Sequence, residues 1–133
     1  MGTGVSACLL DTNAFAMVLT DDPRLPAKAR AAILAADRAG VSAISFYEIG
    51  QKVRLGKWPA MAGVVDRLEA LAVEAGFDLI PLSPSVARHA AMLDWAHRDP
   101  FDRMIAAAAQ EEEVPVVSSD GAFDAVRVER VWE

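Results

Sequence analysis

Five carboxylates in this 133-residue chain stand where short apolar runs give way to helical segments, a placement that can gather oxygen ligands around a cation. Asp11 directly follows the run Ala7-Cys8-Leu9-Leu10. Glu48 lies three residues after Ser45, Asp99 and Asp102 open the segment Phe101 to Glu112, and Asp120 follows Val114 to Val117 by three residues. In a parallel α/β sheet, the carboxyl ends of strands and the amino ends of the following helices share one edge, and ligands bind along it. Carboxylates brought together there at ~5 Å, with an effective dielectric of about 20, repel by roughly 3 kcal/mol per pair. Such a group persists only with some members protonated or with divalent cations between them. An all-oxygen donor set selects hard ions such as Mg²⁺ or Mn²⁺. Cations of this kind suit phosphodiester hydrolysis, because they acidify water and hold charge on the phosphate and leaving oxygen.

Each acid also has a purely structural use. Ser45-Phe46-Tyr47-Glu48 fits a capping box, with Glu48 reaching back to the backbone of Ser45. Asp99-Pro100-Phe101-Asp102 fits an aspartate cap, a proline in the first helical position and an acid facing the helix dipole. Asp11 can cap the next helix, and Asp120-Gly121 can form a turn. The convergence of all of them on one edge is what capping does not explain.

The elements that would carry these residues alternate. A strand at Ala7–Leu10 leads to helices at Thr12–Leu19 and Ala27–Ala39, the second starting after Pro26 and stopping at Gly40. A strand at Val41–Ile44 precedes a helix from Ser45 to about Arg54, and an amphipathic helix spans Met61–Ala75. A strand at Asp78–Leu82, a helix at Ser85–Ala96, the Asp99–Glu112 helix and strands at Val114–Val117 and Arg127–Val131 complete an α/β domain with a mostly parallel sheet, residues 1–133 forming one unit.

Composition narrows the alternatives. Hydrophobic residues make up 53% of the chain and charged residues 24%, enough for a core. A single cysteine, Cys8, excludes an internal disulfide, and two histidines are too few for a His/Cys zinc site. No phosphate-binding glycine loop and no Ser/His/Asp or Cys/His nucleophile set is evident. The net charge of −6 argues against a nucleic-acid partner until two bound divalent cations bring it to −2. Met1 to Ser6 formally fits a myristoylation pattern but reads better as a short lead before the first strand. With no apolar run of membrane-spanning length and no signal-peptide pattern, a cytoplasmic protein is expected.

Four stretches in order resemble the acidic motifs of the PIN domain, and within it the VapC-type toxin nucleases of bacterial toxin–antitoxin pairs. They are Leu10-Asp11-Thr12-Asn13, Ser42 to Ile49 around Glu48, His97-Arg98-Asp99-Pro100-Phe101-Asp102-Arg103 and its continuation to Ala107, and Val116-Val117-Ser118-Ser119-Asp120. The third is the most specific, and together they span nearly the whole chain. The resemblance implies a three-layer α/β/α domain with a central parallel five-stranded sheet. It implies a Mg²⁺- or Mn²⁺-dependent endoribonuclease that hydrolyses RNA, forms a homodimer and is neutralised by an antitoxin protein. Carried over by position, Asp11, Glu48, Asp102 and Asp120 would be catalytic and bind metal. Asp102 is favoured over Asp99 because it leads into the Met104–Ala109 helix, with Asp99 an assisting metal ligand. Thr12, Asn13 and Ser118 would support the site, Asn13 by hydrogen bonding to the first acid and Ser118 in a place where threonine is frequent.

Basic residues near these motifs are candidate RNA contacts: Arg98 and Arg103 beside the third, Lys52 and Arg54 after Glu48. Arg103 would serve equally as a carboxylate partner, and the Lys52 patch equally as a solvated helix face. His97 can reach a scissile phosphate but reads better as a loop residue, and Trp58 reads better as a packing anchor than as a base-stacking platform. Two other functions share parts of the pattern. A receiver-like signalling domain also clusters acids at strand ends, but it needs a paired acid after its first strand, where Asp11 is followed by Thr12 and Asn13, and a lysine after its last strand, whereas no lysine occurs after Lys57. A catalytically inactive PIN-like binding domain would not need all four acids intact.

Overall fold

The structure, a computed structural model, describes residues 6–133. Met1 to Val5, most of the segment read as a lead, lie outside the described residues. The strands are β1 (Ala7–Leu10), β2 (Arg38–Ser42), β3 (Asp78–Ile80), β4 (Val116–Val117) and β5 (Arg130–Val131). All pair in parallel, in the order β3-β2-β1-β4-β5, giving the expected five-stranded sheet. A receiver-type domain has the flavodoxin-like order 2-1-3-4-5, so the sheet excludes that reading. Here the chain runs outward from β1 to β3 on one side, then crosses to β4 and β5 on the other. The direction of winding changes between β1 and β4, and Asp11 and Ser118 stand immediately beyond those two strand ends.

Helices cover both faces because both are apolar. Cys8 and Leu10 face one way and Leu9 the other, as strand alternation requires. The first face packs on α1 (Thr12–Leu19), α2 (Ala27–Ala35), α3 (Ala43–Arg54) and α4 (Leu68–Glu74) through Phe15, Ala29, Ile49, Leu68 and Ala72. The second packs on α5 (Pro84–Met92) and α6 (Pro100–Glu112) through Val86, Ala90 and the run Ile105 to Ala109. No helix among the described residues is long and apolar enough to cross a membrane.

Several element boundaries differ from the sequence reading, each for an identifiable reason. The helix expected to run to Ala39 ends at Ala35, because Arg38 to Val41 pair in register with Ala7 to Leu10. Gly40 is therefore a strand residue: a Cβ there would lie 2.4 Å from Ile80 Cδ1. The strand expected at Val41–Ile44 ends at Ser42, whose hydroxyl caps α3 by accepting from Ile44 N at 3.1 Å. There is accordingly no capping box at Ser45. The expected Met61–Ala75 helix breaks into 3₁₀ turns at Pro59–Met61 and Val65–Arg67 before α4, since Gly63 and the β-branched pair Val64-Val65 are poor helix formers. The expected Ser85–Ala96 helix stops at Met92, where the Arg103 guanidinium takes its last carbonyls.

Candidate metal centre

Asp11 occupies the first position after β1 and is only 5% exposed. Its backbone N–H donates to Val117 O at 3.1 Å, continuing the sheet, and its Oδ1 accepts from Ala14 N at 2.8 Å, capping α1. The nearby Ser118 side chain also favours its charged form. Burial nevertheless pushes the Asp11 carboxyl up from 3.8 to about 6. Ser118 and the Ala14 N–H oppose that rise, and the nearby charges of Asp102 and Glu48 add to it. The first, second and third acidic motifs thus meet electrostatically at this residue.

Glu48 sits on the buried side of α3, 6% exposed. Its Oε2 accepts from Lys52 Nζ at 2.5 Å, one helical turn on, while its buried Oε1 has no hydrogen-bond partner. Thr12 and Ser45, both buried, tie the start of α1 to α3 through a 2.8 Å hydroxyl–hydroxyl hydrogen bond.

Asp99 and Asp102 divide the third motif between them. Asp99 caps α6, its Oδ1 accepting from Phe101 N at 2.9 Å and Asp102 N at 3.4 Å, with Pro100 in the first helical turn. Asp102, one turn into the helix, accepts from His97 Nε2 at 2.7 Å on Oδ2. Burial raises its carboxyl pKa, the His97 hydrogen bond and charge lower it, and the charges of Asp99 and Asp120 add to the rise. His97, Asp102 and Asp120 place one donor atom each within 4.8 Å of one another, a spacing suited to a single cation. Asp120 is exposed, caps the 3₁₀ turn Gly121–Ala125 through Ala122 N, and is joined to Ser118 by its own N–H at 2.9 Å.

The residues present suit a hard divalent cation. A carboxylate oxygen buried without a donor and a carboxyl held well above its ordinary range are both relieved by positive charge at the same edge. The acids at this edge offer carboxylate oxygens, the donors that Mg²⁺ and Mn²⁺ prefer.

Other sequence candidates fall differently. Asn13 is exposed, and Asp11 Oδ1 is bound by Ala14 N instead, so the expected Asn13–Asp11 hydrogen bond is not made. Arg103 takes neither expected place: its guanidinium donates to the backbone carbonyls of Ala90, Ala91, Leu93, Trp95 and His97. Lys52 is committed to Glu48 and lies 5.6 Å from the centre of the half-buried Trp58 ring. Arg54 and Arg98 are exposed. Sequence reasoning undervalued His97, whose loop has no hydrophobic period to aim it. It also missed Ser45 as an interior hydroxyl and Arg130, which pairs with Asp124 at 2.9 Å and donates to Ser118 O at 3.3 Å.

Fold and site define a parallel α/β domain with an acidic, cation-suited edge where its winding reverses. The family model described as PIN domain matches residues 8–129, and the chain belongs to this family of nucleases. No match is found among curated proteins. Among solved structures, VapBC2 from Rickettsia felis bound to a DNA fragment from its promoter is similar over 93% of this chain and 96% of that one, with 14% identity and a TM-score of 0.67. FitAcB from Neisseria gonorrhoeae is similar over 92% and 95%, with 23% identity and a TM-score of 0.65. VapC20 from Mycobacterium tuberculosis, described as a sarcin–ricin loop cleaving toxin, is similar over 89% and 93%, with 12% identity and a TM-score of 0.64.

Proposed function

We propose that this chain is a Mg²⁺- or Mn²⁺-dependent endoribonuclease, the toxin of a toxin–antitoxin pair. One observation carries the reading. The buried Asp11 carboxylate lies within the fields of Glu48 and Asp102, beside a site where Glu48 Oε1 has no partner. Asp11, Glu48, Asp102 and Asp120 would hold the cation, with Asp99 as the neighbouring acid. When bound, the cation supplies positive charge to the scissile phosphate and acidifies water. The chain's own part is to fix the carboxylates: Ala14 N and Ser118 orient Asp11, Lys52 holds one oxygen of Glu48, and His97 holds Asp102. Arg54 and Arg98, both exposed, would meet RNA phosphates.

The partners follow from the same resemblance. A similar structure described as a toxin–antitoxin complex from Klebsiella pneumoniae supports an antitoxin as partner. The test is Mg²⁺-dependent cleavage of RNA by purified protein. Asp11→Asn keeps the cap acceptor and the shape, so cleavage should fall to background while circular dichroism is unchanged. Undiminished cleavage by this variant would reject the assignment.

A further inference from the structure

Residues 93–99, between α5 and α6, have no regular secondary structure, yet the part nearest the site is tied down by a single side chain. Arg103 Nε donates to Ala90 O at 3.0 Å, one terminal nitrogen to Trp95 O and His97 O at 2.8 and 2.9 Å, and the other to Leu93 O and Ala91 O at 2.7 and 3.4 Å. The N–H groups of the planar fork are thus all engaged, each on a different carbonyl. Arg103 directly follows Asp102 on α6, so one helix presents the acid and, on the next residue, the clamp of the loop opposite. His97, whose carbonyl is in the clamp, returns its Nε2 to Asp102 Oδ2 at 2.7 Å. Trp95 packs its ring 4.9 Å from that imidazole and donates from its indole to Ala122 O at 3.2 Å, inside the turn that Asp120 caps.

We infer that His97 is a positioning residue for Asp102, with Arg103 as the clamp that presents it; this rests on the cation-site reading above. An aspartate in the first turn of a helix is free to rotate its carboxylate plane. Donation from an imidazole whose backbone is pinned to the same helix fixes that plane before any cation arrives. Partners of this kind, standing behind a metal ligand, change metal affinity by roughly 10–100-fold when removed. The lever is independent of global stability, because His97 is about one-third exposed and belongs to neither buried cluster.

The experiment is calorimetric titration of the full chain with Mn²⁺, comparing wild type, His97→Ala, His97→Gln, Arg103→Lys and Asp11→Asn. His97→Ala should weaken Mn²⁺ binding about 10-fold or more with an unchanged melting temperature. His97→Gln, whose amide nitrogen reaches a similar place, should recover most of the loss. Arg103→Lys cannot reproduce the fork and should weaken binding in the same way, and a variant carrying both His97→Ala and Arg103→Lys should bind no more weakly than the worse single one. If Arg103→Lys fails to fold, the two His97 variants remain decisive. Wild-type affinity in His97→Ala, or equal loss in His97→Ala and His97→Gln, overturns the inference. So does a directly bonded nitrogen coupling in the pulsed electron paramagnetic resonance of bound Mn²⁺, which would make His97 a ligand. If wild type itself binds no Mn²⁺, the cation-site reading fails with it, an outcome separable from the others because the positioning variants then have nothing to weaken.

Discussion

At the scale of single residues, the molecule keeps an electrostatic conflict at its sheet edge. Asp11 titrates at about 6 when folded and near 3.8 when exposed, so between those values the folded chain holds the extra proton. Stability contributed by this group is present below pH ~4 and lost as the pH rises through about 6. Raising the carboxyl from 3.8 to about 6 corresponds to about 3 kcal/mol for so buried a group. Without divalent cation, urea unfolding should therefore show stability declining by a few kcal/mol from pH 4 to pH 7. Asp11→Asn should flatten that decline and be more stable than wild type at pH 7 by about 1–3 kcal/mol. A variant less stable than wild type at pH 7 would show that the carboxylate is satisfied by the protein alone. The repulsion among converging acids follows from the sequence, but the burial that is its larger cause at Asp11 does not, and there the residue reads equally well as a helix cap. The structure shows that it is both cap and candidate ligand, because one oxygen accepts from Ala14 N while burial penalises the charge of the whole group.

At the scale of elements, the sheet positions what the helices cap. Legibility followed locality. The cap–proline–acid succession at Asp99 to Asp102 and the start of α1 after Asp11 depend on neighbours in sequence, and both stand where expected. The start of β2 depends on pairing with β1, and the end of α5 depends on an arginine some ten residues downstream, so neither was available to periodicity. The same long-range logic gives Gly40 its place. Gly40→Ala should cost about 1–2 kcal/mol in denaturant unfolding by driving Ile80 from its position. Paired with Ile80→Ala, the two costs should be less than additive. Strict additivity would mean that the strand tolerates the methyl without contact.

At the scale of the whole molecule, four acids from distant parts of the chain lie along the edge where the β1 and β4 halves of the sheet diverge. The order of the motifs along the chain was legible, because each acid sits next to a strand end or helix start. The inclusion of His97 and the loss of Arg103 to the backbone were not, because both depend on a loop whose course is set by tertiary hydrogen bonds. A ligand that binds only the folded chain stabilises it, by about 2.7 kcal/mol at one hundred times its Kd. Saturating Mn²⁺ at pH 7 should thus raise Tm by on the order of 10 °C, and the rise should vanish in Asp11→Asn. The most direct test of the account is a crystal structure of wild type grown with Mn²⁺, read by anomalous scattering. The expected result is a strong peak about 2.0–2.6 Å from carboxylate oxygens of Asp11 and Asp102. An acidic edge without a peak at saturating Mn²⁺, or a peak bound only elsewhere, would contradict it.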